Sequence, residues 1–315
     1  MIPYEQCLLD LANADDRIVV MTAENRGHMR NIPPLLGDRF VDVGIAEQTM
    51  IGAAAGMALR GRVVVTHALA SFLTLRPLEF IRDDIGIPAL PVIMVGMVPG
   101  VLSDGNGPTH QAIDDVMHMR GIPNINVCCP ADIDELVEAM PVLARSGTPW
   151  YVRYHASERS TPRDAPFEIG KAETVVAADA EQVDVTILTY GYMVQHAVRA
   201  ADQLIGEGLA VRVVNMRTLQ PVDVDAILHC IATSRTVVTV EDHLRYGGLY
   251  SIVAETLLEA RRAADVLPID LGLTWFPAGR LPDVLAHSGL DASSIASRIL
   301  QHVDHSRYHH GKTSS

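Results

Sequence analysis

Cysteine is scarce in this chain of 315 residues: Cys7, Cys128, Cys129 and Cys230 are the only four, and no two stand at Cys-x-x-Cys spacing. That excludes a disulfide framework and a cysteine metal cluster, and points to reduced thiols in a cytoplasmic setting. Basic residues are also in deficit, with 25 Lys and Arg against 38 Asp and Glu for a formal net charge of −13. Nucleic acid and anionic membrane surfaces both want basic patches, so neither is an expected partner. The longest uncharged apolar stretch, Ile85 to Ser103, is broken by Pro88, Pro91, Pro99 and several glycines. A bilayer helix does not fit there. The N-terminus, MIPYEQCLLDLA, has no basic residue ahead of its apolar ones, so no signal peptide is expected. No long internal repeat and no low-complexity tract occurs.

What the chain has in quantity is apolar side chains, 48% against 20% charged, enough for large α/β cores. At ~100–200 residues per domain its length suits about two domains. Arg17–Met21, Arg39–Val43, Arg62–Thr66, Pro91–Val95, Asn124–Cys129 and Trp150–Tyr154 read as strands. Pro91–Val95 is β-branched and apolar, as a parallel strand buried on both faces should be. Helices are expected to follow Gly44, to run from Ala70 to Ile85 with a kink at Pro77, and to span Asp132–Leu143. The glycine-rich VLSDGNGPTHQAIDD loop feeds another helix.

The alternation breaks between His155 and Val183, where proline and charges suggest a surface linker. It resumes with strands at Val183–Thr189, Val211–Asn215 and Thr236–Val240, and an edge strand at Val266–Leu273. Helices are expected up to Ile205, from Val222, from Gly247 to Ala260, and from Asp291 to Leu300. The predicted architecture is α/β, with two doubly wound domains over residues 1–157 and 183–305. A linker at 158–182 joins them, and a polar tail at 306–315 carries His309–His310 as solvated residues, not a metal site.

The organising stretch runs from Asp42 to Leu59. Ala46, Met50, Ala53, Ala54, Met57 and Ala58 recur at helical spacing and are small enough to pack closely on a sheet, so a completely buried helix is expected. Glu47 is the anomaly, a carboxylate at that helix's start. A helix N-terminus favours negative charge, which gives one reading as a cap. The other reading is a buried carboxyl presented to a ligand.

Five motifs then carry a resemblance. DVGIAEQ, the SFLTLRPLEFIRDDI segment, the GNGPTHQAIDD loop, NMRTLQPVD and VEDHLRYGGL stand in this order in the chain. The set resembles the C-terminal half of a transketolase, and more narrowly the small subunit of transketolases split over two chains. The likeness covers roughly residues 5 to 303. It implies a pyrimidine-binding domain followed by a transketolase C-terminal domain, with thiamine diphosphate as cofactor. The family's GDG motif, which with later asparagines holds the diphosphate and its Mg2+ or Ca2+, is absent. A partner chain of N-terminal type carrying that motif is therefore implied, in an α2β2 assembly with the active site at the interface. The implied reaction is two-carbon ketol transfer from a ketose or its phosphate to a carbonyl acceptor. A 2-oxo acid dehydrogenase β-subunit, a deoxyxylulose-phosphate-synthase-like ligase and a non-catalytic paralogue are the alternatives.

The resemblance also assigns residues. Glu47 matches the carboxyl that hydrogen-bonds the cofactor's pyrimidine nitrogen and so favours its 4′-imino tautomer. Phe72 matches the aromatic that stacks on the pyrimidine, while Leu69 and Leu75 replace further aromatics. His110 matches a histidine that bonds the donor sugar's C1 hydroxyl or carbonyl. Asn106 stands in place of an aspartate that bonds a sugar hydroxyl, and Val98 in place of a phosphate-binding histidine. Arg153 matches an arginine that grips the sugar phosphate, although an arginine ending a strand is equally suited to a structural ion pair. Glu24 matches an acidic residue near the cofactor pocket.

Overall fold

The computed structural model describes residues 1–24, 27–159, 165–178 and 182–310, with side chains up to 305. The first half contributes β1 (Ile18–Thr22), β2 (Phe40–Asp42), β3 (Val63–Leu69), β4 (Val92–Met97), β5 (Asn126–Cys128) and β6 (Trp150–Tyr154). The second contributes β7 (Glu173–Val176), β8 (Val183–Thr189), β9 (Val211–Asn215), β10 (Thr218–Gln220), β11 (Ser234–Val240) and β12 (Val266–Ile269). One sheet has the order β10-β5-β6-β4-β3-β1-β2 and the other β12-β11-β8-β9-β7. All pairings are parallel except β10 on β5 and β7 on β9. Helices cover both faces of the first sheet, which explains why β1, β4 and β6 are buried at every position.

Four elements differ from expectation for identifiable reasons. The Ala70–Ile85 helix stops at Leu75, and after Pro77 a short turn at Leu78–Phe80 leads into a π-helical turn at Ile81–Gly86. Proline has no N–H to continue the ladder. The stretch read as a linker holds β7, which pairs with β9 through Glu173 and Asn215. The Glu47–Leu59 helix is buried only on its Met50, Ile51, Ala54 and Ala58 side, while Gln48, Thr49, Gly56 and Leu59 are exposed. The final helix runs over Ala292–His310, so the first five residues of the expected tail are helical. The side chains of His309 and His310, and residues 311–315, lie outside the described residues.

The two sheets are joined along a buried seam. An apolar cluster passes from Met50 and Ala54 through Cys129 and Tyr151 to Tyr190 and Met216. Arg153, on β6 and 1% exposed, donates from Nε to Asp115 Oδ2 at 2.9 Å and from Nη1 to Asp242 Oδ1 at 2.7 Å. Asp115 opens the Asp115–Arg120 helix of the first half, and Asp242 follows β11 in the second. Burial pushes the Asp242 carboxyl up, and Arg153 opposes that shift. Gly100 approaches so closely that a Cβ there would stand 1.6 Å from Asp242 Oδ2. A second buried arginine, Arg217, pairs with Glu135 and Glu173 at 2.8 and 2.7 Å. Breaking one partner of such a cluster costs about 3–5 kcal/mol, because a charge is left buried and unmatched.

Two buried histidines are neutral. His67 donates from Nδ1 to the Met21 carbonyl and accepts from the Tyr4 hydroxyl on Nε2, which fixes its tautomer. His155 donates from Nε2 to the Pro130 carbonyl and accepts from Ser157 on Nδ1. Burial pushes both rings down to about 4. An unfolded histidine titrates at roughly 6.5, so each ring stabilises the fold fully above that pH and loses its contribution as pH falls through its folded value. Each contribution is on the order of 3 kcal/mol. The urea-unfolding free energy of the chain should therefore be lower at pH 5 than at pH 7, with net proton uptake on unfolding. His67→Gln, which cannot charge, should lose less over that interval than the wild type.

Candidate active site

A cavity of about 810 Å³ opens at the carboxyl ends of β1, β2 and β3. This is where an open α/β sheet presents its loops and helix starts to a ligand. Its lining includes Glu24, Asp42, Glu47, Leu69, Phe72 and His110. Glu47 is the first residue of its helix and 5% exposed, with Ala46 at the cap position making no side-chain bond. The carboxylate thus sits at the positive end of the helix, as both readings of the sequence required. Asp42 fixes the approach, since its Oδ1 accepts from the Gly44 and Glu24 backbone N–H groups at 2.8 and 3.2 Å. Gly44 has φ +72°, a turn conformation glycine adopts freely.

Phe72 and His110 meet across the cavity with ring centroids 4.9 Å apart, edge to face. His110 ends a turn in which its N–H donates to the Gly107 carbonyl, and its Nδ1 is engaged by Thr109 Oγ1 at 2.9 Å. The loop that carries it is anchored from the other domain. Val101 and Ile113, both 0% exposed, bury in the apolar cluster of the second sheet. The Leu244 N–H donates to the Ile113 carbonyl at 2.8 Å, and that of Gly279 to the Asp104 carbonyl at 3.3 Å.

Glu47, Phe72, His110 and Glu24 are therefore brought together, while Asn106 and Arg153 are not in this lining. Asn106 is exposed, and its amide donates to Ser103 Oγ at 3.1 Å. Of its two readings, Arg153 shows the ion pair: its Nε and Nη1 N–H groups are spent on Asp115 and Asp242. Leu69 lines the cavity, whereas Leu75 is exposed and not in its lining.

Arg76 was not foreseen. Its Nη1 donates to Glu47 Oε1 at 2.7 Å, and its guanidinium lies 3.7 Å over the centre of the Phe72 ring. The signal was present, since Phe72 and Arg76 are four apart on a helical stretch. One side chain, itself exposed, thus occupies both the buried carboxylate and the aromatic face. Among the described residues no group of His, Cys, Asp or Glu side chains is placed to hold a metal ion.

The fold and this cavity define a two-domain α/β chain with a deep cavity at the carboxyl ends of the first sheet's strands. Residues 3–160 match the pyrimidine binding domain of transketolase and residues 173–295 match the transketolase C-terminal domain. The chain belongs to the transketolase family. It is 36% identical over 260 residues to the 6-deoxy-6-sulfo-D-fructose transketolase subunit SqwH of Clostridium sp. (strain MSTE9), covering 81% of this chain and 80% of that one. It is 32% identical over 312 residues to an apulose-4-phosphate transketolase subunit of Phocaeicola vulgatus, covering 95% and 96%. A solved split gene transketolase, in an inactive beta4 tetramer, superposes with a TM-score of 0.84 at 30% identity, covering 96% of this chain and 97% of that one.

The family implies thiamine diphosphate, and the residues fit its pyrimidine end: a buried carboxyl for a ring nitrogen and an aromatic face for the ring. Arg76 holds both places and must yield one or both to the ring. A half-exposed ion pair and a cation–π contact together are worth about 1–2 kcal/mol. Arg76→Ala should therefore lower the cofactor concentration for half-saturation by roughly tenfold, with a smaller change in kcat, as read by titrating the assembled enzyme and by calorimetric binding of thiamine diphosphate.

Proposed function

We propose that this chain is the pyrimidine-binding subunit of a two-chain transketolase, moving a two-carbon ketol unit from a ketose or ketose phosphate to a carbonyl acceptor. The observation that carries this reading is the Glu47 carboxylate, buried at a helix start and opening onto the cavity that Phe72 and His110 share. When bound, thiamine diphosphate supplies the chemistry that breaks and remakes a carbon–carbon bond beside a carbonyl.

In this reading Glu47 holds a proton at the pyrimidine ring nitrogen. Its place at a helix start, away from bulk water, keeps that hydrogen bond directed and strong. Phe72 offers a flat apolar face, and Leu69 closes the adjoining wall. His110, with Nδ1 tied to Thr109, keeps Nε2 for a substrate oxygen. Glu24, at the cavity's edge with φ +66°, completes the rim near the cofactor.

The diphosphate and its Mg2+ or Ca2+ fall to a partner chain carrying the GDG motif, in an α2β2 enzyme of the cytoplasm. Support for a partner comes from exposed apolar side chains. Ile45 lines the cavity and is 74% exposed, and Leu59, Leu75, Phe80 and Ile87 are exposed on the Glu47–Leu59 helix and on the 75–87 stretch that packs against it. Exposed apolar groups of this size suit coverage by another protein. The names of the two relatives as transketolase subunits agree with it. A purely structural or regulatory role would give no reason for Glu47, Phe72 and His110 to share one cavity. Product analysis with a ketose against a 2-oxo acid separates ketol transfer from other reactions of the same cofactor.

Two outcomes test this. The purified chain alone should neither bind thiamine diphosphate tightly nor turn over a ketose, and activity should appear on mixing with the GDG-bearing chain. Turnover by this chain alone would sink the reading. Glu47→Gln should lower turnover of the assembled enzyme by at least ~10²-fold while the melting temperature stays nearly constant. A lower melting temperature with an unchanged rate would return Glu47 to a capping role.

A further inference from the structure

Three consecutive side chains just past β11 are buried, and each ends on a different element. Glu241 accepts from the Leu249 and Tyr250 N–H groups at 2.7 and 2.9 Å and so caps the Leu249–Glu259 helix. Asp242 pairs with Arg153. His243 crosses to the first domain, where its Nε2 accepts from the Met117 N–H at 3.3 Å. Its Nδ1 donates to the Leu244 carbonyl at 2.8 Å, so one tautomer serves both contacts.

Met117 is the third residue of the Asp115–Arg120 helix, whose cap residue Asp114 makes no side-chain bond. The first N–H groups of a helix have no partner within it, so an outside acceptor is needed. Here the acceptor comes from a residue 126 positions further along the chain. The packing leaves room for it. A Cβ on Gly248 would stand 2.9 Å from His243 Nδ1, and one on Gly247, at φ +80°, 2.4 Å from Met117 Cγ. Arg120 ties the far end of the same helix to the Gly247 carbonyl and to Glu255.

The His110 loop is strung between these contacts. Ile113 lies in the apolar cluster of the second sheet, and its carbonyl accepts from the Leu244 N–H at 2.8 Å. Val116 and Met119 lie in the cluster that spans the seam. His243 and Leu244 therefore grip the chain at residues 117 and 113, on either side of its turn into the helix. His110 stands three residues before that grip and meets Phe72 at 4.9 Å. Glu47 and Phe72 are carried by other helices.

We propose that His243 is a positioning residue: by capping the Asp115–Arg120 helix from the second domain, it fixes where His110 stands in the cavity. The proposal rests on the two-carbon transfer reading above and adds to it a residue outside the cavity lining. A displacement of about 1 Å at a group that meets substrate can cost ~10²-fold in rate. One hydrogen bond at the root of the loop is thus enough to be read kinetically. The cofactor end of the cavity is untouched, because Glu47 and Phe72 are held by elements outside this grip.

The test compares two amides at position 243 in the assembled enzyme. Gln reaches as far as Nε2 and can place its oxygen before the Met117 N–H, whereas Asn ends near Nδ1 and leaves that N–H unmet. His243→Asn should lower kcat/KM for a ketose donor at least ~10-fold. Calorimetric binding of thiamine diphosphate should change less than about threefold, and His243→Gln should keep kcat/KM within about threefold of wild type. In a His110→Ala background, His243→Asn should cost less than about twofold, since the group it positions is gone. Equal losses for Asn and Gln, or the full loss in the His110→Ala background, overturn the proposal. Should the Asn variant unfold, His243→Leu, which also lacks an acceptor, takes its place. A wild-type pair that turns over no ketose would count instead against two-carbon transfer itself. For that case the positioning is read on the full chain, by NMR of the His110 ring protons, assigned with His110→Ala and shifted by the neighbouring Phe72 ring. His243→Asn should move those signals and His243→Gln should not; signals that stay in place in the folded Asn variant overturn the proposal.

Discussion

Arg153 is a cation placed in the dry centre of the molecule, and the two anions that match it come from different halves of the chain. Neither domain alone can satisfy that guanidinium, so charge matching sets how the halves meet. Asp115 begins the helix that follows the His110 loop, and Asp242 sits against Gly100 at that loop's start. The same contact that docks the domains therefore pins the loop at both ends. Shape alone, across an apolar seam, would tolerate small sliding. Two directed ion pairs at fixed angles do not.

The second domain then has a defined part in the site although, among the described residues, none of those lining the cavity belongs to it. It buries Val101 and Ile113 and bonds the loop backbone at Ile113 and Asp104. Substrate-facing residues are thus held by a scaffold that is itself remote from the cofactor. Arg76 belongs to the opposite category. It is exposed and able to fill the place of a flat ring with its own flat guanidinium.

Much of the fold was legible because parallel strands buried on both faces tend to be continuous apolar runs, as Val92–Met97 is. The helix start at Glu47 was legible for the same local reason, a carboxylate out of place before small residues. Three features were not. β10 is only Thr218–Gln220, too short for any periodicity to speak. Arg153 read equally well as a phosphate ligand or an ion pair, and only the tertiary positions of Asp115 and Asp242 decide between them. His243 reaches Met117 across 126 positions of chain, a proximity no local pattern encodes.

β10 has a consequence for how the chain is made. The first sheet is finished by a strand that lies within the second half and runs antiparallel to β5. As the polypeptide emerges, the Asn126–Cys128 edge stays unpaired until Gln220 has been synthesised, which at about 5–20 residues per second takes several seconds. An open edge is a template for the wrong partner during that interval. The halves are therefore not interchangeable modules: a break placed in the stretch between them would leave the first half with its edge bare, and the second with a strand that has nothing to pair with.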